Sequence, residues 1–315
     1  MISLVGKFFT STNRFIFIVV NQIMNFLVVG NITKDLIRTR DKEQYSFGGT
    51  SYSGITAAQL GYQSRILSRG NNELSEWIKY LHDMGVTVSL QPDRNVTFFV
   101  NDYTAGERRQ LLLGYTQKID FTVEDKTDVI HIDPKFQEVG PELIRKARKK
   151  CDLLSLDVQG LVRDTKDNHV IGKFWSDREE ILPLVDVLKV GKPETSLVSR
   201  LRDYKKICEE LRAMGAGIIA LTLGNNGSLV YDGEFYELPI FKTKTVDKTG
   251  AGDTYGTSLA LRYYETGNVL DSALFATAAA SFVVEDFGTR KIARRQDVNA
   301  RYEILKKSMS YRISL

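Results

Sequence analysis

The residues best suited to chemistry in this chain are the run Asp247-Lys248-Thr249-Gly250-Ala251-Gly252-Asp253. Two closely spaced glycines leave backbone N–H groups where no Cβ blocks an anion. The apolar stretch after them, Thr254 to Tyr264, predicts a helix. A helix N-terminus offers unpaired N–H donors and partial positive charge, so it attracts phosphate. Asp253 stands at that helix start. A carboxylate there either caps the helix or takes a proton from a hydroxyl beside a phosphate.

The run resembles the D-T-x-G-A-G-D signature of the ribokinase-like, or PfkB, carbohydrate kinases, with Lys248 in place of Thr. The resemblance implies that the amides of Gly250, Ala251 and Gly252 form an anion hole for the transferring phosphate and that Asp253 is the base. Further motifs follow in the family's order. Gly30-Asn31-Ile32-Thr33-Lys34-Asp35 is similar to the family's opening and implies that Asp35 binds substrate hydroxyls; a carboxylate accepts from two neighbouring O–H groups. Phe47-Gly48-Gly49-Thr50-Ser51-Tyr52-Ser53 is similar to G-G-x-x-x-N and implies substrate contact at Gly48, Gly49 and Ser53. Ser53 stands where ribokinases have Asn, which points away from ribose and towards another polyhydroxylated substrate. Asp157-Val158-Gln159-Gly160-Leu161-Val162-Arg163 resembles the D-x-Q-G-x-x-R of a subset that includes archaeal inositol- and nucleoside-type kinases, with Gln159 and Arg163 on the substrate. Gly106-Glu107-Arg108 is similar to that subset too.

On the donor side, Gly191-Lys192-Pro193-Glu194 is similar to the family's N-x-x-E, with Gly191 for Asn. The resemblance implies that Glu194 holds Mg²⁺ through water, no side chain binding the metal directly; Mg²⁺ characteristically keeps several waters. Thr222-Leu223-Gly224-Asn225-Asn226-Gly227 resembles the T-L-G-x-x-G that borders ATP, which puts Thr222, Gly224 and Gly227 beside ATP together with Glu194 and Thr249. Phe287-Gly288-Thr289 resembles the loop shaping the adenine side. In many family members that loop and the Asp247 loop also bind a monovalent cation such as K⁺.

These residues need a scaffold, and the rest of the chain predicts one. Short apolar runs at Phe26–Val29, Val129–Ile132, Leu153–Leu156, Val185–Val190 and Ile218–Leu223 alternate with helical patterns at Tyr52–Gly61, Pro141–Lys149, Glu194–Met214 and Val269–Val284. Near-continuous apolar strands alternating with helices predict an α/β fold, a doubly wound, mainly parallel sheet with its site at the strands' C-terminal edge. Segments about 36–46 and 86–115 break the rhythm with alternating and β-branched residues. They predict a small antiparallel β lid, as in ribokinase-like enzymes. Met24 directly precedes the first strand, so residues 1–23 read as an extension with no catalytic role and 24–315 as one ribokinase-like kinase domain.

The 315 residues are 43% hydrophobic and 26% charged, with a net charge of +4 and both signs interspersed. No dense Lys/Arg cluster with interleaved aromatics argues for nucleic acid. Phe15–Val20 is too short an apolar run to span a bilayer. The two cysteines form no C-x-x-C pair, and the three histidines have no metal spacing; this usage suits a reducing cytoplasm. His131 reads as a strand end. The expected activity is ATP-dependent, Mg²⁺-assisted phosphorylation of a hydroxyl on a small sugar or inositol-like polyol. The alternatives are a nucleoside kinase of the same family and a non-catalytic ligand-binding sensor of the same fold. An exposed lid edge would let two copies pair.

Overall fold

The computed structural model describes residues 23–104 and 109–313; the Phe15–Val20 run and Arg108 lie outside the described residues. The five apolar runs form the strands Asn25–Val29, Thr127–Ile132, Cys151–Asp157, Val187–Gly191 and Ile218–Thr222, all parallel to one another. Gln63–Gly70 and Val86–Pro92 extend this sheet in parallel on one side, and the antiparallel hairpin Ser228–Tyr231/Phe235–Leu238 extends it on the other.

Successive residues of one strand feed opposite faces of the sheet. Phe26 and Val28 pack with Ile55, Leu259 and Phe275 of the helices Thr50–Gln59, Ala251–Thr266 and Val269–Val283. Leu27 and Val29 pack with Ile144 and Ile207 of the helices Pro141–Arg148 and Tyr204–Ala213. Burial on both faces is why these strands read as continuous apolar runs. Each fully buried Leu, Ile or Phe contributes about 1.5–3 kcal/mol.

A second sheet has the order Arg163–Lys166, His169–Gly172, Arg109–Gly114, Thr97–Asp102, Ile32–Arg38, Glu43–Gly49. This is the expected lid, with three corrections. Val86–Pro92 does not belong to it, because its register runs residue by residue along Gln63–Gly70 at the main sheet's edge. The lid is mixed, since Ile32–Arg38 and Thr97–Asp102 run parallel. Each follows a parallel strand of the main sheet, so both leave it in the same direction. The hairpin from Arg163 to Gly172 also joins the lid, although its short polar strands carry no alternation in the sequence. One helical expectation changes as well. Glu194–Met214 is broken into Thr195–Val198 and Tyr204–Ala213, where Asp203 accepts from Lys206 N–H at 3.0 Å and starts a new helix.

Residues paired across the lid face the same way. Asp35, Phe99 and Leu112 share the inner face, and Leu36, Tyr45, Val100 and Leu111 the outer one.

His131 lies inside a strand and not at its end. It is fully buried, with Nδ1 3.0 Å from Ser155 Oγ and, among the described residues, no partner for Nε2. Burial lowers its pKa to about 4. The unfolded chain therefore binds this proton more tightly, and folding stability rises with pH between about 4 and 6.5. The imidazole contributes at most one proton's slope, about 1.4 kcal/mol per pH unit. Urea unfolding between pH 5 and 6.5 should show a slope that flattens by up to that amount in His131→Gln. An unchanged slope would mean that His131 titrates normally.

Candidate active site

The helix Ala251–Thr266 begins at Gly250, whose φ of 80° favours glycine. A Cβ there would lie 2.1 Å from Tyr52 Cδ1, so the ring and the turn fit only without a side chain. Gly250 is the N-cap residue, so Asp253 is not the helix cap. Asp253 sits within the first turn, and its Oδ1 accepts from Lys135 Nζ at 2.7 Å.

Lys135 Nζ also donates to Asp133 Oδ1 at 2.5 Å, and Asp133 Oδ2 accepts from Ser53 Oγ at 2.8 Å. Beside this chain, Lys189 Nζ donates to Asp157 Oδ2 at 2.8 Å. A Cβ on Gly252 would lie 2.9 Å from that same ammonium. Two buried ammoniums thus face three carboxylates directly beneath the helix N-terminus.

The electrostatics follow from burial and pairing. Burial lifts the Asp253 carboxyl above the ordinary carboxylate range, while Lys135 opposes the lift and Asp133 and Asp157 add to it. Burial also raises Asp133 against the pull of Lys135. At Asp157 burial pushes upward, but the Lys189 and Lys135 ammoniums overcome it and hold the carboxyl below its ordinary value. Both lysines stay charged, because neighbouring carboxylates outweigh the cost of burial.

A cavity of about 510 Å³ opens on the other side of the glycine turn. Ala251 and Gly252 line it together with Glu194, Thr222, Gly224 and Gly227, so all the residues expected beside ATP except Thr249 come together. Ile240, Phe241, Ala280 and Val284 give it apolar walls. Gln159, expected on the substrate, lines this same cavity. Thr249 instead bonds Asp247 Oδ1 through its N–H and hydroxyl, at 3.0 and 2.8 Å.

The expected substrate residues are split between the lid and the core. Asp35 bonds Thr33 Oγ1 at 2.8 Å and Asn101 Nδ2 at 3.1 Å on the lid's inner face. Gly48 closes against it, since a Cβ there would come within 3.0 Å of Asp35 Oδ2. Gly49, with φ of 63°, turns the chain from the lid into the helix Thr50–Gln59. Ser53 is fully buried, its hydroxyl bonded to Asp133. Arg163 donates to the Lys135 carbonyl at 3.1 Å, its guanidinium over the Phe99 ring.

Asp133, Lys135 and Lys189 fall outside the motifs that the sequence presents. Each carried a signal: a charge at the C-terminal end of an apolar run, or within one. A buried charge needs a partner, and strand C-termini are where an α/β sheet builds its site.

Asp133, Asp157 and Asp253 offer carboxylate oxygens within 4.8 Å of one another. The cationic charge a metal would bring is supplied there by Lys135 and Lys189. Glu194 stands apart on the donor cavity, with chemistry that fits a hydrated Mg²⁺. Asp247 Oδ2 is a buried oxygen without a hydrogen-bond partner among the described residues.

Residues 114–295, more than half of the chain, match the profile described as pfkB family carbohydrate kinase. The chain belongs to the pfkB family of carbohydrate kinases. It is 38% identical over 267 residues to the nucleoside kinase of Methanothermobacter thermautotrophicus, covering 77% of this chain and 79% of that protein. It is 31% identical over 160 residues to the inositol 3-kinase of Arabidopsis thaliana, covering 49% and 42%. A pyrophosphate-dependent kinase in the ribokinase family, solved with a pyrophosphate analog and myo-inositol, superposes with a TM-score of 0.79 at 26% identity, covering 87% of this chain and 99% of that one. This pfkB kinase is therefore a phosphotransferase, and its family implies ATP and a divalent metal.

Gly191 stands where the family motif has Asn. A Cβ at this position would lie 2.2 Å from Glu194 Oε2, so glycine leaves room for the carboxylate to fold back. The Gly191 backbone, with φ of −79°, suits any residue. Gly191→Ala should therefore keep its stability within about 1 kcal/mol, as substitutions without a core defect do. It should raise the Mg²⁺ concentration for half-maximal turnover several-fold, by roughly 1 kcal/mol of lost binding. Thermal unfolding and Mg²⁺ titration check the two halves of this expectation. An unchanged Mg²⁺ requirement would separate Glu194 from the metal.

Proposed function

We propose that this kinase transfers the γ-phosphoryl group of ATP to a hydroxyl of a small polyol of the inositol type. One observation carries the reading: the Asp253 carboxylate lies at the inner end of the Gly250–Gly252 turn, which itself borders the large cavity. A nucleoside acceptor is the second reading, favoured by the 38% identity to a nucleoside kinase over 77% of the chain.

In the proposed reaction the acceptor oxygen forms a bond to the γ-phosphorus. The bond from that phosphorus to the β–γ bridging oxygen breaks, its electron pair leaving with ADP, and the acceptor proton passes to Asp253. The amides at Gly250 and Gly252 stabilise the charge that develops on the phosphoryl oxygens, joined by that of Ala251 when it exchanges its 3.3 Å bond to the Lys248 carbonyl for one to phosphate. Asp35 and the lid orient the acceptor. Mg²⁺, when bound, neutralises phosphate charge, and Glu194 is the residue that would hold it through water. The walls of Ile240, Phe241, Ala280 and Val284 suit an adenine ring. Pyrophosphate has no apolar part to use them, so ATP is the donor assigned. The orphaned Asp247 Oδ2 is suited to a monovalent cation such as K⁺, since the Asp247 loop is tied to Val284 by N–H donations from Val246 and Asp247 at 2.7 and 3.2 Å.

For the lid we propose a homodimer. Its outer face exposes Tyr45, Leu113 and Ile171, and Glu43–Gly49 ends the sheet with no further strand beside it among the described residues. A second copy covers both features. Sedimentation should show a dimer that dissociates in Tyr45→Lys/Leu113→Lys, whereas a monomeric parent chain would rule the pairing out.

Two substitutions separate the catalytic and binding roles. Asp253→Asn keeps the size but removes the proton acceptor, and kcat should fall by about a hundredfold or more with ATP affinity retained. Asp35→Ala should raise the acceptor KM by roughly 1.5–3 kcal/mol, the worth of a hydrogen bond to a charged group, and leave the ATP KM nearly unchanged. Near-normal turnover in Asp253→Asn would remove the base. A shift confined to the ATP KM in Asp35→Ala would put Asp35 on the donor side.

A further inference from the structure

Three elements converge on one buried ammonium. The helix Thr50–Gln59 supplies Ser53, which donates to Asp133 Oδ2 at 2.8 Å. The loop after the strand Thr127–Ile132 supplies Asp133 and Lys135. The helix Ala251–Thr266 supplies Asp253. Lys135 Nζ lies 2.5 Å from Asp133 Oδ1 and 2.7 Å from Asp253 Oδ1, with its side chain only 4% exposed.

The loop carrying Lys135 is fixed from several sides. The Glu138 carboxylate accepts from the N–H groups of Asn31, Lys135 and Phe136 at 2.7–2.9 Å. The Pro134 carbonyl accepts from Gly160 N–H at 3.0 Å, and a Cβ on Gly160 would meet the Pro134 carbonyl carbon at 2.4 Å. The Lys135 carbonyl accepts from Arg163 at 3.1 Å. A lysine with four flexible methylenes is thereby held to one geometry. An ion pair that only filled space would have no need of such a frame.

We propose that Lys135 is a positioning residue for the base: anchored through Asp133 to Ser53, its ammonium fixes the orientation of the Asp253 carboxylate through Oδ1, keeps it ionised, and leaves Oδ2 to receive the acceptor proton. The inference rests on the reading of Asp253 as proton acceptor. Other charged or titratable groups face Asp253: Asp157, Lys189 and His131 from the sheet, and Tyr52 from the helix Thr50–Gln59. None of them bonds the carboxylate in the structure, so the proposal assigns the control to Lys135.

The test uses the full chain labelled with ¹³C-carboxyl aspartate, the Asp253 resonance being assigned by its loss in Asp253→Asn. Its titration midpoint is measured in the parent chain, in Lys135→Met and in Asp133→Asn/Lys135→Met. The double variant leaves no uncompensated buried carboxylate at position 133, so it keeps the test open if the single variant does not fold. Turnover is followed in parallel with ATP, Mg²⁺ and either myo-inositol or cytidine. The midpoint should rise by about one pH unit or more in Lys135→Met, the usual effect of losing an adjacent cation. It should rise less, but in the same direction, in the double variant, where the repulsion from Asp133 is lost as well. The acid limb of kcat should move up with it, while the acceptor KM stays nearly constant. A midpoint that stays put in both variants, whatever happens to melting temperature, would overturn the proposal and leave Lys135 a structural ion pair. Full turnover in Asp253→Asn would instead overturn the base itself, and the positioning role with it.

Discussion

The structure depends on holding two buried ammoniums against two buried carboxylates and the partly exposed Asp253 beneath one helix N-terminus. Removing one partner of a buried ion pair costs about 3–5 kcal/mol, so neither Lys135 nor Lys189 can be left without its carboxylates. That requirement locks the Asp133–Glu138 loop and the turn at Gly250 into one arrangement. The strand carrying Lys189 supplies positive charge to the cavity beside Glu194, and the loop carrying Lys135 supplies it at Asp253.

The fold supplies what this cluster needs. Parallel strands end together at one edge, so Asp133, Asp157 and Lys189 arrive side by side from three neighbouring strands. The helix after Gly250 starts beside the same edge, so the partial positive charge of its N-terminus adds to that of the two ammoniums. Glycine is required where the backbone turns against Tyr52. The lid strands leave from that edge too, and Asp35 of the lid and Asp253 of the core both act electrostatically on Tyr52, although they lie far apart in sequence. Phosphoryl transfer asks a protein chiefly for positioning and electrostatics, and this edge concentrates both.

How much of this was legible in the sequence depended on how local each signal was. The Gly250–Asp253 turn, the apolar strands and the Glu194 and Gly224 loops are contiguous motifs, and the structure brings the donor-side residues to one cavity. The Asp133–Lys135–Asp253 chain was not legible, because Lys135 and Asp253 are 118 residues apart and no local pattern links them. Gln159 reads as a substrate residue through the D-x-Q-G-x-x-R resemblance, and in the structure it lines the cavity shared with Glu194 and Gly224. Val86–Pro92 read as lid because β-branched alternation marks any half-buried strand, including one at the edge of the main sheet. The break at Ser199–Asp203 escaped notice because apolar residues on both sides of it keep helical spacing, and only the Asp203 cap marks a restart.

The central claim is that this site moves a phosphoryl group from ATP onto an acceptor hydroxyl. The most direct measurement incubates the full chain with ATP, Mg²⁺ and, one at a time, inositols, nucleosides and simple sugars. Mass spectrometry then looks for an acceptor carrying one added phosphoryl group, alongside ADP. The account predicts such a phosphomonoester from an inositol or a nucleoside, formed in step with ADP and only when that acceptor is present. An acceptor that binds and protects the protein against unfolding, yet yields neither phosphomonoester nor ADP, would contradict it.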